Sequence, residues 1–304
     1  MNNLEKSEAI KKFADKRPSA IGIYGYGSGV FKQCHTNGVK PLTDVVFVVE
    51  DIREWHRSNM ERNRKDYSFI GRIHLNRKNI KKLKGSNNIT YFSEIKDEEY
   101  TFKYGVIEVE DFKRGLSTWD NIFMAGRFHK PVLEVSSDDD IRKSIDYNRK
   151  CALMIACLFC DRLTSNKEIY SKLCGLSYMG DARMGFAENP RKVENIVEGS
   201  FEKLEEIYPL NEEYLVRLND GLYYIKHDLI LERIHELPEH LLNFLNEMNT
   251  NFTDIDLVRI NIGEFLLSKN KVESRAQIIQ GVKTNGIVRS VPYALAKVKK
   301  RFSK

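Results

Sequence analysis

The 304-residue sequence is poor in several features that would narrow its class at once. Its longest strongly apolar run, Cys151-Ala-Leu-Met-Ile-Ala-Cys-Leu-Phe-Cys160, is too short to span a bilayer. The start, Met1-Asn-Asn-Leu-Glu-Lys-Ser-Glu8, carries acids and no apolar segment, so neither a secretory signal nor a transit peptide is expected. The five cysteines (Cys34, Cys151, Cys157, Cys160, Cys174) are odd in number and lack framework spacing, which points to a reducing compartment. Cys157-x-x-Cys160 has no second Cys pair or nearby His to complete a zinc site, and free Cys in such a run behaves as a small apolar group. No repeat or low-complexity stretch is present. The composition, 41% hydrophobic and 30% charged, is that of a soluble or peripheral globular protein. The net charge of +6 is concentrated late. From Lys271 to Lys304 there are nine Lys or Arg against one acid, Glu273, a distribution suited to nucleic acid, anionic lipid or polyphosphate, or simply to a solvated end.

The pattern of elements changes near residue 137. Before it, a short helix over 7–15, a strand over Ala20–Tyr24 and a β-branched strand over Asp44–Val49 are expected. A helix over 51–63, a strand over Thr101–Ile107, a helix over 111–119 and a strand over Pro131–Val135 complete an α/β unit. After Ser137-Asp-Asp-Asp140, a natural helix entry, helices are expected over 141–163, 167–174, 190–207 and 235–248. Tyr214–Leu218 and Gly221–Ile225 flank Asn219-Asp220 as a hairpin, and helices followed by a hairpin are compatible with a winged-helix-like module. The expected organisation is therefore α/β + α: residues 1–137, residues 138–270, and a basic segment over 271–304.

Chemistry concentrates at Tyr26-Gly27-Ser28-Gly29. A glycine-flanked serine after a strand exposes backbone N–H groups and a hydroxyl to triphosphate oxygens. Asp44, at the start of the next strand, is placed to hold Mg²⁺ against the same oxygens. Nucleotidyltransferases of the polymerase-β type use this order of strand, Gly-Ser and strand Asp. They commonly carry a second acid two residues later, where this chain has Val46. Lys103 sits in an otherwise apolar strand and needs an acid, a phosphate or a route to solvent. His56, Asn59 and Asn63 share a helix face, either solvated or lining a pocket. Arg127 and Lys130 after Gly126 suit phosphate, and Asp181 suits either a second metal ligand or a cap and ion-pair partner.

Several stretches together resemble the mitochondrial translocator assembly and maintenance protein family, which are phosphatidate cytidylyltransferases (CDP-diacylglycerol synthases). They are Tyr26-Gly-Ser-Gly-Val-Phe31 with Gln33, Asp44 and its strand, and Trp55-His56-x-x-Asn59-x-x-x-Asn63-x-x-x-Tyr67-Ser68. Lys103-Tyr-Gly-Val-Ile107, Ala125-Gly-Arg127, Lys130-Pro131 and Ser177-Tyr-Met-Gly-Asp181-x-Arg183-Met184 follow in order. The resemblance spans nearly the whole chain. It implies a polymerase-β-type nucleotidyltransferase domain, a helical second domain and a membrane-contacting end. It also makes the absence of an acid at Val46 a family trait. Asp66 departs from the pattern, which carries His there; Ala276 and Gln280 replace basic residues, with Arg275 and Lys283 nearby.

The implied reaction joins CTP and phosphatidic acid, with Mg²⁺, to give CDP-diacylglycerol and pyrophosphate. Asp44, Ser28 and Lys103 are then the expected catalytic residues. Tyr26, Gly27, Ser28, Gly29, His56, Asn59, Asn63, Arg127 and Lys130 are expected on the nucleotide, and Asp44 with Asp181 on the metal. Val291, Leu295, Val298 and Phe302 form an apolar stripe beside Lys297, Lys299, Lys300, Arg301 and Lys304, as a basic amphipathic helix on anionic lipid would. Lys283, Arg289, Lys297, Lys300, Arg301 and Phe302 are the expected lipid contacts; packing of the stripe on the protein's own core is the alternative. The expected place is peripheral, at the cytoplasmic face of a bacterial membrane or the matrix side of the mitochondrial inner membrane. No nucleic acid is expected. Two rival readings are transfer to RNA or protein with the tail on nucleic acid, and a non-catalytic membrane-associated assembly factor.

Overall fold

The structure is a computed structural model that describes residues 3–31, 42–67, 72, 88–185, 189–219 and 221–276. The expected basic stripe and the lipid contacts from Lys283 to Phe302 lie outside the described residues, as do Gln33, Cys34 and Ser68.

After helix α1 (Asn3–Asp15) the chain forms β1 (Gly22–Tyr26) and β2 (Thr43–Val49). Helix α2 (Ile52–Arg62) starts at Asp51, whose carboxylate accepts from the Arg53 and Glu54 amides at 2.7 and 3.0 Å. That cap satisfies two of the amides a helix start leaves without intrahelical partners. Strands β3 (Thr90–Asp97) and β4 (Tyr100–Glu108), helices α3 (Val109–Thr118) and α4 (Ile122–Phe128), and β5 (Leu133–Ser136) follow. The sheet runs β3-β4-β2-β1-β5; β2 and β4 are parallel and the other pairs antiparallel. β2 is central, as its continuous apolar run predicts, because both its faces are covered.

Strand alternation divides those faces. Val45, Phe47 and Val49 pack with α1, Trp55, Tyr67, Phe102 and Tyr104. Val46 and Val48 join Tyr24, Tyr91 and Ile107 in a core that continues without a break into the later helices, as far as Leu245 and Phe265. Asp44 and Lys103 share the parity of this second face.

Helix α5 (Asp139–Leu158) begins at Asp138, which accepts from the Ile141 amide at 2.7 Å. It ends five residues before the expected Leu163, which instead opens strand β6 (Leu163–Ser165) paired to Tyr224. Helix α6 (Asn166–Gly175) is capped by Ser165. The expected helix over 190–207 breaks at Ser200 (φ −134°) into α7 (Lys192–Gly199) and α8 (Phe201–Ile207). The hairpin forms as β7 (Leu215–Asn219) and β8 (Leu222–Ile225), with β8 central in an antiparallel order β6-β8-β7. After α9 (His227–Glu232), Pro238 divides the expected 235–248 helix into a 3₁₀ turn and α10 (Glu239–Glu247), since proline cannot continue the hydrogen-bond ladder. The next helix, α11 over 255–276, starts at Asp254, which accepts from the Asp256 and Leu257 amides. The described part is thus mixed α/β with two sheets. All four described cysteines are free and buried.

Candidate active site

β1 ends in the glycine loop. Gly27 has φ +76°, and a Cβ there would lie 3.2 Å from Asp44 Oδ2, so the carboxylate faces this turn. A Cβ on Gly29 would lie 2.0 Å from the Leu42 carbonyl oxygen, an overlap no side chain can accept. The Val30 and Phe31 amides both donate to the Gly27 carbonyl and close the turn around Ser28.

Tyr26 is the cross-strand partner of Asp44, and Asp44 is in register with Lys103 on β4. Lys103 Nζ lies 3.7 Å from Asp44 Oδ1 and 4.8 Å from the Tyr91 ring centre. The acid required by a lysine inside an apolar strand is therefore Asp44. At 15% and 24% exposure, neither charged side chain is sealed from solvent or ligand. Tyr26 and Tyr91 place their hydroxyls 3.3 Å apart beneath the site.

Helix α4 supplies the cationic side. Arg127 stacks over Phe123 at 3.4 Å and over Tyr26 at 5.4 Å, and donates through Nη1 to the Phe123 carbonyl at 2.7 Å. Its buried Nε has no hydrogen-bond partner among the described residues. Lys130 donates to the Gly126 carbonyl and to Ser177 Oγ. Burial holds its ammonium down at about 7, and the nearby Arg127, Lys192 and Arg183 charges push the same way. This crowding of cations around a low-dielectric edge is what an anion would relieve.

Two expectations meet a different arrangement. Asp181 is almost fully buried and receives Arg183 on both oxygens, through Nε at 2.9 and 3.1 Å and Nη2 at 2.5 Å. Both its oxygens receive that fork, which is the ion-pair role. His56 and Asn59 are fully buried on the far face of the sheet from Asp44. Asn59 Nδ2 donates to the Tyr67 and Tyr104 hydroxyls at 2.9 and 3.2 Å, His56 Nδ1 meets the Tyr67 hydroxyl at 3.0 Å, and Asn63 donates to Asn59 Oδ1 and the Lys16 carbonyl. His56 and Asn59 face neither water nor the glycine loop and feed an internal network, which half-buried Asn63 joins from the end of the helix. Asp66 completes that network, accepting from Arg17 Nη2 and the Tyr104 hydroxyl, each at 2.8 Å. Where the resemblance implies His, Asp66 is thus matched by a buried cation, Arg17.

Residues 7–228 match the model of the family described as "Phosphatidate cytidylyltransferase, mitochondrial". The chain belongs to that family. It is similar to curated proteins of that same name over most of its length. The one from Schizosaccharomyces pombe is 30% identical over 97% of this chain and 84% of its own. Those from Caenorhabditis briggsae and Saccharomyces cerevisiae are 29% and 31% identical, over 91% and 90% of this chain and 92% and 65% of theirs.

Three residues of this phosphatidate cytidylyltransferase family member take parts in the site or the fold that the sequence pattern did not assign to them. Tyr91 lies on β3, and the β-prone run Thr90-Tyr-Phe92 was a usable signal for that strand. Arg17, just before Pro18 and past the end of the first helix, carries no local sign of the pairing it makes with Asp66. Glu273 looked like a lone acid in a basic stretch, yet it is 8% exposed and accepts from the Ile122 amide at 2.9 Å. Burial holds its carboxyl up at about 7 against an ordinary 4.5, partly offset by the Ile122 and Phe123 amides. Between those two values the unfolded chain ionises and the folded one resists. Stability is therefore expected to fall as pH rises through that window, by roughly 3 kcal/mol from this group. Glu273→Gln should flatten the slope, read by denaturant titration at pH 5 and pH 8.

Proposed function

We propose that the chain transfers the cytidylyl group of CTP to phosphatidic acid, giving CDP-diacylglycerol and pyrophosphate. The observation that carries this reading is Asp44 facing the Gly27–Gly29 turn with Lys103 beside it, in a chain of the phosphatidate cytidylyltransferase family. The sheet unit acts as a polymerase-β-type nucleotidyltransferase domain, and the helices with the β6-β8-β7 sheet take the winged-helix-like part.

A phosphatidate oxygen attacks the CTP α-phosphorus in line. The new P–O bond forms as the α–β bond breaks, and the electron pair leaves on pyrophosphate. A phosphate monoester is already a competent nucleophile, so the chain's task is placement and charge balance rather than proton abstraction. The Gly27-Ser28-Gly29 turn offers amides and a hydroxyl to the leaving β- and γ-phosphates. Lys103 and Arg127 face the same region with positive charge, and Tyr26 and Tyr91 wall its floor.

Mg²⁺ fits the donors present. Asp44 offers hard carboxylate oxygens, and no cluster of three or more metal-ligating side chains occurs among the described residues. One carboxylate with substrate phosphates is a common way to hold this ion. Bound there, it would neutralise phosphate charge. His56, Asn59 and Asn63 act in this reading by supporting the sheet from behind.

Among the described residues no helix is long and apolar enough to cross a membrane. Approach to an anionic bilayer through the basic stripe beyond residue 276 is part of this proposal. The mitochondrial names of the relatives favour the matrix side of the inner membrane over a bacterial one.

Pyrophosphate release is expected only when CTP, Mg²⁺ and phosphatidic acid are supplied together, with CDP-diacylglycerol recovered in equal amount. Chelation by EDTA should stop it. Release that is indifferent to the lipid would overturn the assignment of the acceptor.

A further inference from the structure

Helix α11 touches both elements that carry the cationic side of the site. Its contacts fall at 270, 273 and 274, one face of a helix. Asn270 Nδ2 donates to the Leu176 carbonyl at 2.9 Å. Ser274 Oγ accepts from the Ala182 amide at 3.0 Å, beside the Asp181–Arg183 pair. Between them Glu273 Oε1 accepts from the Ile122 amide, at the first residue of α4. A Cβ on Gly180 would meet the Leu267 carbonyl oxygen at 2.6 Å, and one on Gly126 would meet Ser177 Cβ at 2.4 Å. The loop, α4 and α11 are therefore in close mutual contact.

Helix α4 is only seven residues long, so losing one anchor at its start shifts the whole of it. Asn121 caps the Phe123 amide, and Glu273 holds the neighbouring amide from 151 positions away in sequence. Arg127 stands one turn further along, over Tyr26. The second oxygen of Glu273 is buried and has no hydrogen-bond partner among the described residues. A group that contributed only to stability would be an odd choice there, since burying half a carboxylate is costly.

We infer that Glu273 is a positioning residue: by fixing the start of α4 from α11, it sets where Arg127 meets substrate phosphate. The inference rests on the cytidylyltransferase reading above. It makes α11, which lies beyond the family match at residues 7–228, part of the active-site apparatus.

The test is steady-state kinetics on the full chain with CTP and phosphatidic acid vesicles. Glu273→Ala is expected to raise KM for CTP about tenfold while kcat changes less than twofold, the size of one buried hydrogen bond. Glu273→Gln keeps an acceptor oxygen and should restore KM to near the wild-type value. In an Arg127→Gln background, Glu273→Ala should add nothing, because the lost contact is the same one. If Glu273→Ala yields no folded protein, Glu273→Asp, which withdraws the carboxylate by one methylene, carries the same comparison. An unchanged KM in these variants, or effects that multiply with Arg127→Gln, would overturn the inference. A wild-type protein with no turnover of CTP would instead fail the functional reading itself.

Discussion

Asp44→Ala is expected to lower pyrophosphate release by on the order of a thousandfold or more, while the protein stays folded. The carboxylate has two tasks in the proposed reaction: it offers oxygens to Mg²⁺ and it balances Lys103 at 3.7 Å. Both vanish in the alanine variant, and no cluster of three or more metal-ligating side chains occurs among the described residues to take over. The effect on stability is expected to be small, because the pair is partly open to solvent and such pairs contribute about 1 kcal/mol or less. Asp44→Asn should be nearly as inactive despite its matching volume, since a neutral amide neither neutralises Lys103 nor binds a hard cation well. Lys103→Met should cost less, about a hundredfold, the usual loss for one electrostatic contact to a developing charge. Pyrophosphate release with a melting curve for each variant distinguishes these cases. Retention of a tenth of wild-type turnover by Asp44→Ala would sink the mechanism.

The second large effect is expected on stability and not on chemistry. Arg17 and Asp66 form an ion pair with side chains only 3% and 9% exposed, on the face of the sheet away from Asp44. The guanidinium also stacks over Phe13 at 3.5 Å, lies 4.9 Å from the Tyr104 ring and donates to the Phe13 carbonyl. Removing either partner leaves a buried charge with nothing to balance it. Arg17→Ala and Asp66→Ala should each destabilise by about 3–5 kcal/mol, or on the order of 10 °C in melting temperature. A paired apolar replacement, Arg17→Met with Asp66→Leu, should recover much of that, because burying two charges is itself costly. At temperatures where the variants remain folded, KM for CTP should match the wild type. A large change in KM without loss of stability would place this network at the substrate instead.

These two cases also show where sequence was informative. The place of Asp44 beside the glycine turn was legible because its neighbours fix it locally: a glycine turn, an apolar strand and a start-of-strand acid follow one another within one stretch of chain. Lys103 was legible as a problem, a cation in an apolar strand, and the parallel register of β2 and β4 supplied the answer. His56 and Asn59 do share a face of α2, with Asn63 just past its end as the C-cap, but the direction of that face depends on which side of the sheet α2 covers. That choice is made by Trp55, Phe47 and Phe92, not by the polar residues themselves. Arg17 pairs with Asp66 across 49 positions and Glu273 meets Ile122 across 151, so no local pattern announces either. Helix breaks at Ser200 and Pro238 fall on residues that favour them, although the apolar periodicity on either side continues in phase.

The reach from Ile122 to Glu273 has a consequence for how the protein comes into being. Closing so large a loop is slow compared with forming hairpins and helices, since non-local contacts form only after their entropy has been lost. A chain emerging N-terminus first possesses the glycine turn, Asp44 and Lys103 long before residue 273 exists to seat α4. Among the described residues, the contact that seats α4 is therefore made late, and on the proposed reading a nascent or truncated chain that ends before α11 should hold Asp44 in place without a properly set Arg127. On the proposed reading, turnover therefore requires that synthesis has passed α11.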